Sequence, residues 1–228
     1  MTTAPTAFTS SGTVTALDTV PKYVRTAGEG AEGDIVRQTD YIHVTTGMLA
    51  VSQAWRLCRI PTSAKIKSVK ILSDVIMDSN SSQLLALEVS LAFSDSTIDG
   101  TNSALQGQIP TSANNGAVTP VATYTSPNLM FGTITHTGND VGCVADATTV
   151  AGSGVVVREP LDITFNGGSL LYNSLPLTET PLWQLFGFTS AQGLPQDPGG
   201  FFDLLFMTKA AAATAVAANF QAVVDFVK

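Results

Sequence analysis

The stretch that most constrains this chain is its C-terminal quarter, where two alternating apolar runs bracket an alanine tract. Residues 202–207 read Phe-Asp-Leu-Leu-Phe-Met, residues 208–218 are alanine-rich, and residues 219–227 read Asn-Phe-Gln-Ala-Val-Val-Asp-Phe-Val. In the last run Phe220, Ala222, Val224 and Phe226 share one face, the two-residue period of a half-buried strand. A strand must pair with a neighbour, so this run is expected to be tied into a sheet. Alanine gives 208–218 a helical leaning that Thr214 and Val216 temper.

The rest of the chain repeats the strand signal at short intervals. Residues 35–44 and 49–60 read as strands, the second ended by Pro61, with Trp55, Leu57 and Arg59 opposite Arg56, Cys58 and Ile60. Residues 66–77 follow, with Val69, Ile71, Val75 and Met77 on one face. The cleanest alternation is 84–93, where Leu85, Leu87, Val89, Leu91 and Phe93 oppose Leu84, Ala86, Glu88, Ser90 and Ala92. Burying five such side chains is worth about 1.5–3 kcal/mol each. Shorter strand signals lie at 130–135, 155–157 and 161–165, and residues 181–188 suit a short helix. Many short strands with Gly/Pro turns and no strand–helix–strand rhythm predict an all-β antiparallel sandwich or jelly roll, with one or two short helices. Residues 1–34 read as an extended N-terminal arm with a Gly/acid loop at 26–34. Residues 35–228 read as a single sandwich domain with a long surface excursion at about 94–154.

Charge is scarce and unevenly placed. Only 13% of the 228 residues are charged, about half the usual share, and Thr, Ser, Ala, Asn and Gly take their place. Few ions would need desolvating if such a surface met a partner. Residues 1–70 hold eight Lys/Arg against five Asp/Glu, and residues 71–228 hold three against thirteen, giving the net −7. The basic cluster of Arg56, Arg59, Lys65, Lys67 and Lys70 has two readings: a solvated strand edge that discourages edge pairing, or a contact with an acidic partner. The acidic whole and the lack of basic stripes with interleaved aromatics argue against nucleic acid. No apolar run approaches membrane-spanning length. The polar N-terminus without an apolar segment points to a protein kept in a cytoplasm or in a particle assembled there.

Residues suited to catalysis are thin on the ground. His43 and His136 sit in Thr-rich surroundings, with no second His or Cys at ligand spacing, and read as polar cross-strand residues. The G-x-S-x-G elbow is missing, and neither Gly152-Ser153-Gly154 nor Gly199-Gly200 has the spacing or the Lys of a phosphate loop. Asp95, Thr97, Asp99 and Gly100 echo a calcium loop, but Gln106 stands where its bidentate Glu belongs, so a turn is the expectation. Asp74, Asp78 and Asn80 read as a strand end. Cys58 and Cys143 are either two buried thiols or one disulfide. No catalytic, cofactor or metal site is expected, and the chain reads as a non-enzyme. The large aromatics, Trp55, Trp183, Phe186, Phe188, Phe201 and Phe202, are core residues or anchors that fill a neighbour's pocket.

Four stretches together carry a family likeness. They are Trp55-Arg56-Leu57-Cys58-Arg59-Ile60-Pro61 with the following Thr62-Ser63-Ala64-Lys65-Ile66, then Leu87-Glu88-Val89-Ser90-Leu91-Ala92-Phe93-Ser94-Asp95. The others are Pro181-Leu182-Trp183-Gln184-Leu185-Phe186-Gly187-Phe188, and Phe202-Asp203-Leu204 with the alanines 210–213 and the closing strand. In these the sequence resembles the head decoration or stabilisation proteins of tailed bacteriophages, over roughly 55–109 and 155–228. Residues 110–154 and 1–34 have no recognised counterpart. The resemblance implies a β-rich virion protein on the capsid surface, made in the host cytoplasm. It would bind the major capsid protein and bridge neighbouring shell subunits, with other copies of itself as further partners and neither nucleic acid nor membrane. The candidate interface is Arg56, Arg59, Lys65, Lys67, Trp183, Phe186 and Phe188. The alternative from a different class is an appendage or fibre-type sandwich that recognises carbohydrate or a host surface.

Overall fold

The computed structural model describes residues 7–10, 35–75, 77–79, 84–94, 130–135, 148–149, 156–157, 160–165, 170–172, 174–188 and 194–228. The Gly/acid loop, most of the 94–154 excursion, the calcium-loop echo, His136, Cys143 and Gly152–Gly154 lie outside them. In chain order the strands are β1 (Ala7–Ser10), β2 (Ile35–Val44), β3 (Gln53–Pro61), β4 (Lys65–Ser73), β5 (Ala86–Phe93), β6 (Thr133–Thr135) and β7 (Thr148–Thr149). They continue with β8 (Val156–Val157), β9 (Leu161–Asp162), β10 (Leu171–Tyr172), β11 (Leu175–Pro176), β12 (Phe201–Ala210) and β13 (Ala218–Val227). One short helix, α1 (Leu182–Leu185), and a 3-10 turn at Thr46–Leu49 complete the described elements.

Eight of these strands pair like a single long hairpin rolled up on itself. Taking β2, β3, β4, β5, β6, β9, β12 and β13 in order, the first pairs with the last, the second with the seventh, the third with the sixth and the fourth with the fifth, all antiparallel. Further pairing of β13 with β4 and of β12 with β5 yields two sheets, β2-β13-β4-β9 and β1-β3-β12-β5-β6. That is the jelly roll, two Greek keys wrapped into a sandwich. The first four long strands, β2 to β5, alternate between the sheets, and β12 and β13 again lie one in each, so the inward faces of the two sheets meet in one core.

The period-2 pattern supplies that core. Phe220, Ala222, Val224 and Phe226 of β13 face Leu87, Val89 and Leu91 of β5 and Phe202, Leu204 and Phe206 of β12 across the sandwich, all buried. Trp55, Phe206 and Phe220 interlock at its centre, with ring centroids 4.8–6.0 Å apart, one pair stacked and two edge-on.

Two phase errors in the sequence reading have one cause. Strict alternation puts Arg59 beside Trp55 and Leu57, yet Ile60 packs in the core with them. Asp203 pairs with Arg59 and Leu204 with Leu57, so Cys58 is an extra residue: a β-bulge, with Cys58 at φ 49°. A similar register shift places Asp225 opposite Ser68 and Phe226 opposite Ile66, so the inward face of β4 is Ile66, Val69 and Ile71.

The bulge also frees backbone groups that the opposite sheet collects. Asp40 of β2 accepts the Cys58 N–H at 3.1 Å. The Gln38 carboxamide, oriented so that both its groups are satisfied, donates to the Arg59 carbonyl at 2.8 Å and accepts its N–H at 2.9 Å, as another strand would. Earlier on the same strand, residues 53–56 pair in parallel with β1. Part of the N-terminal arm is therefore a strand of the larger sheet. The Cys58 thiol is buried and lies 3.7 Å from the Ala222 carbonyl oxygen.

The alanine tract is not helical. β12 runs on to Ala210, and Ala213 and Thr214 give their N–H groups to the buried carboxylate of Asp78, each at 2.9 Å. Asp78 takes two more, from Leu84 and Leu85, at 2.9 and 3.2 Å. With Val216 N–H on the Met77 carbonyl, the tract's donors are spent on another segment, which leaves no intrahelical ladder to build.

Candidate interaction surfaces

The two sheets present different outer faces. In the sheet of β3, β12 and β5 nearly every residue is buried on both sides, and a second small apolar cluster, Ala54, Ala92, Leu205 and Met207, lies on the face away from the core. Arg56 and Arg59, expected at an interface, are buried here. Arg56 Nη1 lies 2.9 Å from Asp203 and 3.0 Å from the Ser94 carbonyl oxygen, while Arg59 reaches both Asp203 oxygens at 2.8 and 3.0 Å. These guanidiniums serve an internal ion triad, so the expected basic surface loses two of its members. Glu88 on the neighbouring strand is likewise buried and meets Lys209 at 2.9 Å.

The other sheet keeps one face open. Its outward rows, read across β2, β13 and β4 from the observed register, are Ile35–Val227–Lys65, Arg37–Asp225–Ser68, Thr39–Val223–Lys70 and Tyr41–Gln221–Leu72. Ile35 and Tyr41 are 66% and 72% exposed, while Lys65, Lys67 and Lys70 are half-buried along their stems. Arg37 binds Asp225 through two bonds of 2.7 and 2.9 Å, and Ser68 adds a third at 2.9 Å. The Arg37 guanidinium holds the Asp225 carboxyl below its usual range, with the Ser68 hydroxyl assisting. Lys67 binds Glu179 at 2.8 Å and similarly lowers its carboxyl. The basic character expected of 56–70 therefore reaches the surface through Lys65, Lys67 and Lys70, joined by Arg37 from β2.

His43 ends this face in the cross-strand polar role its Thr-rich surroundings predict. Its Nδ1 lies 3.0 Å from the Asn219 side-chain oxygen, and Asn219 donates to Asp74 at 2.6 Å, all at the exposed surface. Among the described residues no three His, Cys, Asp or Glu side chains gather as a metal site.

A second feature lies in the connection between β9 and β12. Helix α1 ends in a Schellman turn: Phe188 N–H binds the Trp183 carbonyl, Gly187 N–H binds that of Gln184, and Gly187 sits at φ 72°. The turn sends Phe186 and Phe188 into the core, where both pack on Phe202 at 5.0 and 6.1 Å, so neither expected anchor is on the surface. Trp183 stays half-buried. With Gln184, Gly187, Phe188, Leu175 and Pro195 it lines a cavity of about 290 Å³. Of the two roles open to these aromatics, two became core, and Trp183 became the wall of a hole rather than a projecting anchor.

Sequence reasoning missed Asp203, Asp78, Gln38 and Asp40 as organisers. A signal for three of them is present. Asp203 stands alone in an apolar run, and Gln38 and Asp40 share the face of Ile42 and Val44.

No protein-family description matches this chain, and no curated protein does. Among solved structures the chain is similar to one from the cyanophage Pam1 capsid asymmetric unit, at 15% identity and a TM-score of 0.40, over 92% of this chain and 96% of that one. It is similar also to a chain of the capsid of Ralstonia phage GP4, at 14% identity and a TM-score of 0.45, over 97% and 98%.

Proposed function

We propose that this protein is a non-catalytic structural component of a bacteriophage virion that binds the outside of the assembled capsid and bridges neighbouring copies of the major capsid protein. The open face of the β2-β13-β4-β9 sheet carries this reading. Across β2, β13 and β4 it presents Thr, Val, Gln, Leu, Ile and Tyr with a lysine strip along β4, on a sandwich whose other sheet is closed. Such a face is nearly dry to bury: Arg37 is already paired, and few ions need desolvation. The lysines of β4 add a sign, favouring an acidic neighbour and guiding encounter and register more than affinity. Binding the assembled shell and not its dissociated parts stabilises the shell by mass action. In this reading the protein waits in the host cytoplasm and ends on the virion surface.

Carbohydrate recognition by an appendage-type sandwich is less well served by the geometry. The cavity is walled mainly by Leu175, Trp183, Phe188 and Pro195, and among its lining side chains only Gln184 and the Trp183 indole carry a polar group. A sugar site needs several convergent polar groups.

The test is addition of purified protein to shells that lack it, followed by sedimentation and a chemical-stress challenge. Wild-type protein is expected to co-sediment at fixed stoichiometry and raise shell resistance. Tyr41→Asp and the double change Lys65→Glu/Lys70→Glu are expected to abolish both while leaving the fold intact. Undiminished binding by these variants would remove the open face as the contact, and binding to free glycans but not to shells would favour the appendage class.

A further inference from the structure

Strand β2 pairs along one side only. β13 lies there without a break in register, from Val227 opposite Ile35 to Ala218 opposite Val44. Which backbone groups of β2 are left over follows from β13. Asn219 turns both its N–H and its carbonyl toward Asp74 on the β4 side. Phe220, Ala222 and Val224 therefore turn theirs toward Ile42, Asp40 and Gln38 of β2. The alternate residues of β2, namely Ile35, Arg37, Thr39, Tyr41 and His43, aim their N–H and carbonyl groups the other way. Among the described residues no strand stands on that side, and the Tyr41 N–H is met by the Asp40 side chain at 2.9 Å. By contrast, β9 with Ile163 and Thr164 covers the edge of β4, and β1 covers the start of β3.

We infer that an extended segment of a capsid subunit adds to this edge as a further strand, pairing with β2 from Ile35 to Thr39. The inference rests on the shell-binding reading above and names the form that the partner's contact takes. A row of N–H and carbonyl groups at strand spacing is matched by another extended backbone and by little else, so the edge specifies its own occupant. β2 has no proline, glycine or lysine, and no bulge against β13 turns its edge aside. Asp40 blunts it at one point by spending the Tyr41 donor, and that sets where the added strand stops. The new strand widens the open face by one row, and its outward side chains lie beside Ile35, Arg37 and Thr39. Charge narrows the segment further. The open face carries Arg37, Lys65 and Lys70 against Asp225, while Asp40, the one acid of β2, is buried. The segment that fits is neutral or acidic, with apolar residues at alternate positions to meet Ile35.

Full-length protein and shells that lack it provide the test. Thr39→Pro removes an N–H that has no partner among the described residues, and proline is tolerated where an edge strand's N–H faces outward. Its melting curve is expected to stay near that of wild type, while shell co-sedimentation weakens about tenfold or more. The loss is expected to be smaller for Thr39→Val, which keeps the N–H. Amide hydrogen exchange on wild type needs no variant: residues 35–39 are expected to exchange more slowly on shells than in the free protein. Contact through the side chains of the open face alone leaves those amides as they were. A wild type that does not co-sediment with shells overturns this inference together with the reading it rests on. Shell binding that a folded Thr39→Pro leaves unchanged, or that brings no slowing at 35–39, overturns the edge alone. Equal losses in Thr39→Pro and Thr39→Val assign the effect to the side chain and overturn it too. Pairing of the free protein that Thr39→Pro removes, with no slowing on shells, gives the edge to a second copy and overturns the capsid segment as its occupant.

Discussion

The two sheets of this sandwich are built from similar strands and do opposite things. In β3-β12-β5 both faces are buried; Arg56, Arg59 and Asp203 are enclosed and matched to one another, and the buried Glu88 is paired with Lys209. In β2-β13-β4 one face is buried and the other stays open, with the Arg37–Asp225 and Lys67–Glu179 ion pairs at the surface. The lesson concerns where a charge can do work. An enclosed ion pair is strongly coupled to the fold because removing one partner strands the other in a medium that solvates it poorly. A surface pair is worth little to stability and remains available for a partner.

Asp203→Ala should break the closed sheet hardest. It leaves two guanidiniums buried, and urea unfolding should show a loss of about 3–5 kcal/mol. Arg37→Ala on the open sheet should cost far less by the same measurement, because the solvent screens an exposed pair. Equal losses would erase the distinction between the sheets. Next in size is Asp78→Ala, which strips an acceptor from four backbone donors; the expected loss is at least about 1–3 kcal/mol, with faster amide exchange at Leu84, Ala213 and Thr214.

A smaller effect probes how the sheets are joined along the β2–β3 edge. Gln38→Leu or Asp40→Ala should each cost about 1–3 kcal/mol, because each takes a side-chain partner from the backbone of the bulge at Cys58–Arg59. A neutral result would mean the bulge backbone finds water instead. The smallest effect is on pH dependence. Asp225 is held ionised by Arg37 and Ser68, so its folded value lies below its unfolded one. Its contribution is then complete above the ordinary aspartate range and is lost as pH falls through the lowered folded value. Unfolding curves across that acidic window should be steeper in pH for wild type than for Asp225→Asn. Identical slopes would show that the open-face pair does not hold the charge.

Much of the fold was legible in the chain. The runs at 84–93 and 219–227 declare strands by period alone, since burying alternate large side chains has few other solutions, and the buried faces described for them are as the pattern dictates. The alternation in 53–60 misled at Cys58 because a bulge inserts one residue and inverts the face of all that follow. The surface reading of Arg56 and Arg59 failed for a related reason. Their partner Asp203 lies about 145 residues further on, and only the pairing of β12 with β3 brings it near. The aromatic stretch 181–188 was legible as a turn of helix, but which ring points inward depended on Gly187 reversing the chain.

What the sequence determined alone is the kind of structure: alternating apolar runs, neutral turns and scarce charge oblige the chain to make pleated sheets packed face to face. What the tertiary structure decided is which face stays in water. That choice turns on contacts between residues far apart in the chain, on bulges that shift phase by one residue, and on which sheet a strand enters. Local composition does not encode these, because burial belongs to a side chain's neighbours in space and not to its neighbours in sequence.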